Sequence, residues 1–139
     1  MEDSGKCSAY VDGSFVDGRV GYGAVILRNG TPVQELWGAV EKYTESRQVA
    51  GELAAVMRVV DYCRAHRISE VDVYYDYAGV EMWACGRWQA NLPMTQAYRQ
   101  YMQNSPVKVN FCKVKSHSGN RWNEHADALA RRGATDAAE

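Results

Sequence analysis

The chain has 139 residues, 46% hydrophobic and 24% charged, with a formal net charge of −1, the proportions of one globular domain able to bury a single core. No apolar run reaches the roughly eighteen residues that a membrane helix needs, Met1 to Lys6 lead into no apolar signal segment, and near-neutral charge argues against holding a polyanion by bulk charge alone. Cys7, Cys63, Cys85 and Cys112 contain no Cys-x-x-Cys pair. Zinc ligation is therefore not expected; free buried thiols in a reducing, cytoplasmic setting are, and a disulfide stays open.

Ser8 to Phe15 reads as a strand, with Ala9, Val11 and Phe15 on one face and Tyr10, Asp12 and Ser14 on the other. A mid-strand carboxylate is costly near a core unless something neutralises it, and taken alone Asp12 is more often a solvated edge residue. Asp17-Gly18 supplies a hairpin turn, Val20 to Arg28 a second strand, Asn29-Gly30 a second turn and Val33 to Val40 a third strand. Gly21 and Gly23 mark a bulge or a close neighbouring backbone.

Glu45 to His66 carries Val49, Leu53, Val56, Val60 and Cys63 at helical spacing. Glu52 lies about 60° from Val49 and about 40° from Val56 around that helix, at the margin of the apolar stripe. Val71 to Asp76 alternates as a strand ending in a second carboxylate. Strand, helix, strand implies a right-handed crossover that lays this strand parallel to the first, with Asp76 near its carboxyl end, where open α/β sheets place their sites.

Ala78 to Ala84 and Met94 to Gln103 are expected to be short helices, and Val107 to Val114 a fifth strand. Trp83 and Trp88 between them serve either the core or a flat surface. After the loop Lys115 to Gly119, Asn120 caps a last helix from Arg121 to Arg132, and Ala134 to Glu139 is a frayed tail. From Val107 to Gly133 stand Lys108, Lys113, Lys115, Arg121, Arg131 and Arg132 against only Glu124 and Asp127. That balance suits a polyanionic partner and a plain solvated face equally well.

The order is thus β-β-β-α-β-α-α-β-α, with Asp12, Glu52, Asp76 and Asp127 on separate elements. Clustered carboxylates repel unless divalent cations neutralise them, and all-oxygen ligands favour Mg²⁺ or Mn²⁺. Two such ions about 4 Å apart suit phosphodiester hydrolysis. The chain resembles type 1 ribonuclease H through Tyr10-Val-Asp-Gly-Ser14, Gly21-Tyr-Gly-Ala24, Ala50-Gly-Glu-Leu-Ala54, Tyr75-Asp76 and the block His117-Ser-Gly-Asn-Arg-Trp-Asn-Glu-His-Ala-Asp-Ala-Leu-Ala130. The likeness runs from about Cys7 to Gly133.

This resemblance implies a ribonuclease H-like α/β fold: a five-stranded mixed sheet, three antiparallel strands then parallel ones, flanked by helices. It implies a single catalytic domain with a core at about residues 7–133 and no hybrid-binding domain. The implied activity is endonucleolytic hydrolysis of the RNA strand of RNA/DNA hybrids with two Mg²⁺ ions (or Mn²⁺), leaving 5′-phosphate and 3′-hydroxyl ends. Asp12, Glu52, Asp76 and Asp127 match the family's metal-binding carboxylates, and His117 its loop histidine, assigned to proton transfer or product release. Gln48 stands where the family usually has asparagine. With Glu52 and the backbone of Gly13 and Ser14 it is a candidate for 2′-hydroxyl contacts. Tyr77 to Ser105 holds only Arg87 and Arg99, so no basic handle for the DNA strand is expected. A monomer is the default. Two rival readings stay open: a non-catalytic hybrid- or RNA-binding module of this fold, and a nuclease of this fold acting on another nucleic acid.

Overall fold

The computed structural model describes residues 5–114 and 120–136. Its elements run β1 (Cys7–Val16), β2 (Arg19–Arg28), β3 (Thr31–Val40), α1 (Gln48–Ala65), β4 (Glu70–Tyr75), α2 (Gly79–Ala84), α3 (Pro93–Gln103), β5 (Lys108–Lys113) and α4 (Arg121–Thr135). They build a five-stranded sheet in the order β3-β2-β1-β4-β5. β2 is antiparallel to both β1 and β3, and β4 lies parallel to β1 and to β5. The meander and the crossover expected from the sequence are both present.

Both hairpins turn where the sequence places them. Asp17 and Gly18 (φ 50° and 80°) and Asn29 and Gly30 (φ 55° and 81°) adopt the left-handed backbone that a two-residue hairpin loop demands. The alternation of β1 then sends Cys7, Ala9 and Val11 into the core beneath α1, together with Val71, Val73 and Tyr75 of β4. Leu53, Val56, Val59 and Val60 close this layer from α1 at essentially zero exposure. Each such side chain contributes about 2 kcal/mol of burial free energy. A second, smaller layer forms on the other face, where Val25 and Leu27 of β2 meet Ala126 and Leu129 of α4. β2 is therefore buried on both faces, as its unbroken run Ala24 to Leu27 requires.

Several details differ from the sequence reading. Ala134, expected in a frayed tail, is buried within α4. Phe15 does not join the core row of Ala9 and Val11; it is 40% exposed, because α1 meets the sheet at Gly13 and leaves the strand's end uncovered. α1 starts at Gln48 rather than Glu45, because Tyr43 and Arg47 adopt positive φ (60° and 56°) and so interrupt any helical run. Asn120 caps α4 as expected, its Oδ1 accepting from the Trp122 and Asn123 amides at 2.9 and 3.0 Å. The thiols divide: Cys7 and Cys63 are buried, Cys112 is half-buried and Cys85 is exposed. Trp83 packs partly buried against the main core, whereas Trp88 is 39% exposed.

Candidate active site

Strand register brings the first two carboxylates together. Tyr10 of β1 lies opposite Tyr74 of β4 in parallel register, and their rings stack at 4.5 Å. Two residues further along each strand direction come Asp12 and Asp76, which the side-chain period of two returns to the same face. Asp76 stands just beyond the end of β4, at the carboxyl edge of the parallel strands.

Glycine contacts then bring up the helices. A Cβ on Gly13 would stand 2.0 Å from the Gln48 carbonyl oxygen and 2.4 Å from the Glu52 nitrogen, and one on Gly51 would stand 2.2 Å from the Gly21 carbonyl oxygen. Only bare backbone allows α1 to approach the sheet this closely, and the approach sets Glu52 beside Asp12. On the opposite face a Cβ on Gly23 would stand 2.4 Å from the Ala130 nitrogen and 2.5 Å from the Ala126 carbonyl oxygen. This contact seats α4 and delivers Asp127. Of the two sequence readings for Gly21 and Gly23, the close neighbouring backbone is the one found; the register shift of β2 lies further on, between Ile26 and Leu27.

Glu52 is buried at 4% exposure, not marginal as its helical angle suggests, because the end of β4 folds over it. The Asp76 and Tyr77 amides donate to its Oε2 at 2.7 and 3.4 Å, so Glu52 also fixes the turn that presents Asp76. Burial pushes the Glu52 carboxyl up to about 8, with the charges of Asp12 and Asp76 adding to the rise and the two amides opposing it. Asp12 accepts from the Gly13 amide at 2.8 Å. Burial raises its carboxyl to about 7, and the Asp127 carboxyl, which shares a hydrogen bond with it, and the Asp76 charge push the same way. The four carboxylates read from the sequence thus interact around Asp12.

An all-oxygen cluster of strained acids is the donor chemistry of Mg²⁺ or Mn²⁺, so the residues fit such ions. Among the described residues, however, no three His, Cys, Asp or Glu side chains stand ready as a ligand cage. Asp127 also binds Arg131 at 3.1 Å. Ligation therefore requires these side chains to exchange their present hydrogen bonds for the cation.

The cluster continues into a groove of about 630 Å³ lined by Gly13, Ser14, Phe15, Arg47, Gln48 and Arg131, among others. Gln48 is exposed at the first residue of α1 and points its position toward this groove, whereas Ser14 is 9% exposed. The Gly13 amide is occupied by Asp12. Three groove residues escaped the sequence reading. Phe15 appeared there only on the strand face of Ala9 and Val11, and Arg47, whose guanidinium lies 5.1 Å from the Phe15 ring centre, sits in no periodic pattern. Arg131 was counted only as part of a basic run, although its position four residues beyond Asp127 was a legible helical pairing signal. The basic run itself does not gather on one face. Lys108 begins β5, at the end of the strand away from Asp76, whereas Lys113 ends it opposite Tyr75, the residue before Asp76; Arg132 lies over Trp37 of β3, and Arg131 binds Asp127. His117 and Lys115 fall outside the described residues.

Comparison with known proteins agrees with this architecture. The RNase H family model matches residues 4–135. A ribonuclease H of Idiomarina loihiensis is 33% identical over 149 aligned positions, covering 97% of this chain and 92% of that protein. RNase H1 of the halophilic archaeon Halobacterium salinarum superimposes with a TM-score of 0.77 at 21% identity, over 93% of this chain and 97% of that one. LC11-RNase H1, solved in complex with an RNA/DNA hybrid, gives 0.76 at 18% identity, over 96% of this chain and all of that one (100%). With the family model spanning nearly its whole length and the four carboxylates gathered at the edge of the sheet, this chain belongs to the RNase H family.

Proposed function

We propose that the protein hydrolyses the RNA strand of RNA/DNA hybrids endonucleolytically, leaving 5′-phosphate and 3′-hydroxyl ends. The observation that carries the reading is the convergence of Asp127, Asp76 and Glu52 on Asp12, where burial and mutual repulsion raise the carboxyls of Asp12 and Glu52 far above ordinary acids. Such an arrangement is unfavourable for a fold alone and suits a cation-holding site. The hybrid bound by LC11-RNase H1 supports the choice of substrate.

Asp12 and Asp76 would hold two Mg²⁺ ions, for which Mn²⁺ is a substitute, with Glu52 and Asp127 completing the two sites. When bound, such a pair supplies activation of a water and stabilisation of the leaving oxygen. The protein's own part is positioning. The amides of Asp76 and Tyr77 on Glu52 hold the Asp76 turn, and the Gly13 contact holds Asp12 against α1. In the groove, the Gln48 amide and the backbone at Gly13 and Ser14, apart from the Gly13 amide that Asp12 holds, would meet 2′-hydroxyls, the groups that distinguish RNA from DNA. Arg47 and Arg131 supply positive charge for backbone phosphates, so affinity falls with rising salt. His117, outside the described residues, is assigned to proton transfer or product release on the resemblance of its motif.

Asp12→Asn tests the reading. It keeps the size and the acceptor for Gly13 while removing the central charge. The expected result is a folded protein, with unchanged far-UV circular dichroism, that no longer cuts hybrid. Turnover at the wild-type rate would overturn the assignment.

A further inference from the structure

α1 closes in a turn of the usual kind built on an unusual residue. His66 follows the last helical residue; the Arg67 amide then donates to the Arg64 carbonyl at 3.3 Å and the Ile68 amide to the Cys63 carbonyl at 2.8 Å. This pair of bonds is the Schellman ending, whose left-handed residue is most often glycine. Here it is Arg67, at φ 59°, where a Cβ is unfavourable. A basic side chain near a helix C-terminus ordinarily serves the last carbonyls, but backbone amides already hold those of Tyr62, Cys63 and Arg64. Arg67 instead lines a polar cavity of about 360 Å³ with Gly5, Arg28, His66, Ser69 and Glu70, among others. Arg28, from the end of β2, donates to the Gly5 carbonyl at 3.5 Å, and the His66 ring stacks on Tyr62 at 4.0 Å. Glu70 accepts from Asn110 at 2.8 Å, and Asp72, the next acid along β4, pairs with Lys6 at 3.1 Å. Two guanidiniums therefore share the cavity with one carboxylate that has a partner of its own.

We propose that this cavity is a binding site for a phosphate-class oxyanion, free or at the end of a small nucleotide, clasped by Arg28 and Arg67 with His66 and Ser69 as further hydrogen-bond partners. The planar guanidinium fork matches phosphate oxygens in pairs, and charge-assisted bonds of this kind are the strong ones. The volume stands at the lower end of the range of about 300–1,000 Å³ usual for small-ligand sites, which suits a phosphate-bearing small molecule. The ligand accounts for the arginine at the turn, which gives up the conformational ease of glycine for a cation at the cavity. Strand rise puts Cys7, at this end of β1, about 16 Å from Asp12, so the site is separate from the carboxylates.

The test is titration of the isotope-labelled protein with inorganic phosphate and, separately, with ADP, followed by amide NMR at constant ionic strength with chelator present. The expected result is saturable shifts at the Arg67, Ile68 and Ser69 amides with a Kd of about 1 mM or tighter, and a melting temperature that rises with ligand. Arg67→Gly should weaken binding at least about tenfold, yet melt about 2–4 °C above the wild type without ligand. Arg28→Gln should weaken binding to a similar extent; if it fails to fold, Arg67→Gly carries the test alone. Tighter binding of ADP than of phosphate assigns the site to nucleotides, and equal or weaker binding assigns it to free phosphate; both uphold the class. Shifts confined to Gln48 and Arg131 in the groove, or none that saturate by about 10 mM phosphate, would overturn the proposal. Unchanged affinity in Arg67→Gly, or a lower melting temperature for that variant, would also overturn it.

Discussion

Replacing Glu52 by glutamine isolates the energetic strain that the carboxylate cluster imposes on the fold. The side chain is 4% exposed, and burial, reinforced by Asp12 and Asp76, raises its carboxyl from 4.5 to about 8. Between those values the folded chain keeps a proton that the unfolded chain has released, so stability is fully present below about pH 4 and is lost as pH rises toward 8. The whole gap corresponds to about 5 kcal/mol. Asp12, itself raised to about 7, shares the same repulsion, which leaves about 2–4 kcal/mol assignable to Glu52. Glutamine retains an oxygen for the Asp76 amide and carries no charge at any pH. In urea melts with chelator present, Glu52→Gln should match the wild type near about pH 5 and exceed it by about 2–4 kcal/mol near about pH 8.5. Mg²⁺ should then stabilise the wild type more than the variant. Parallel stability curves across this range would refute the reasoning, because they would mean that the buried carboxylate titrates alike in both states.

Two packing predictions follow from the same geometry. Gly13→Ala places a Cβ 2.0 Å from the Gln48 carbonyl oxygen, so α1 must shift from β1; a loss of about 3 kcal/mol in a urea melt is expected, with hybrid cleavage falling as Glu52 leaves Asp12. Asn120→Ala removes the acceptor for the Trp122 and Asn123 amides and should lower stability by about 1 kcal/mol in thermal melts.

The parts of this molecule governed by local chemistry were readable from the residues. Asp17-Gly18 and Asn29-Gly30 announce their turns because few residues adopt positive φ, and the spacing from Val49 to Cys63 announces α1 because a buried helix face needs it. The pairing of Asp12 with Asp76 followed once β4 was placed parallel to β1. What escaped depends on where one element ends against another. Glu52 sits at the stripe's edge by angle, yet the β4 turn covers it and two amides bind it. Phe15 follows the apolar alternation of β1, yet α1 stops at Gly13 and leaves the ring to Arg47. The run of Lys and Arg near the carboxyl end looked like one surface, yet a strand and a helix carry its members to different ends of the sheet. The roles of the four carboxylates were legible mainly through the family resemblance, since their spacing along the chain carries no signal until the fold closes.

The most direct test of the account is cleavage of a hybrid labelled on its RNA strand, with Mg²⁺, with Mn²⁺ and with a chelator. Internal cuts are expected in the RNA strand alone, present with the cations, absent with the chelator and absent in Asp12→Asn. Hybrid that is bound yet uncut in both cations, or cutting that survives the chelator, would contradict it.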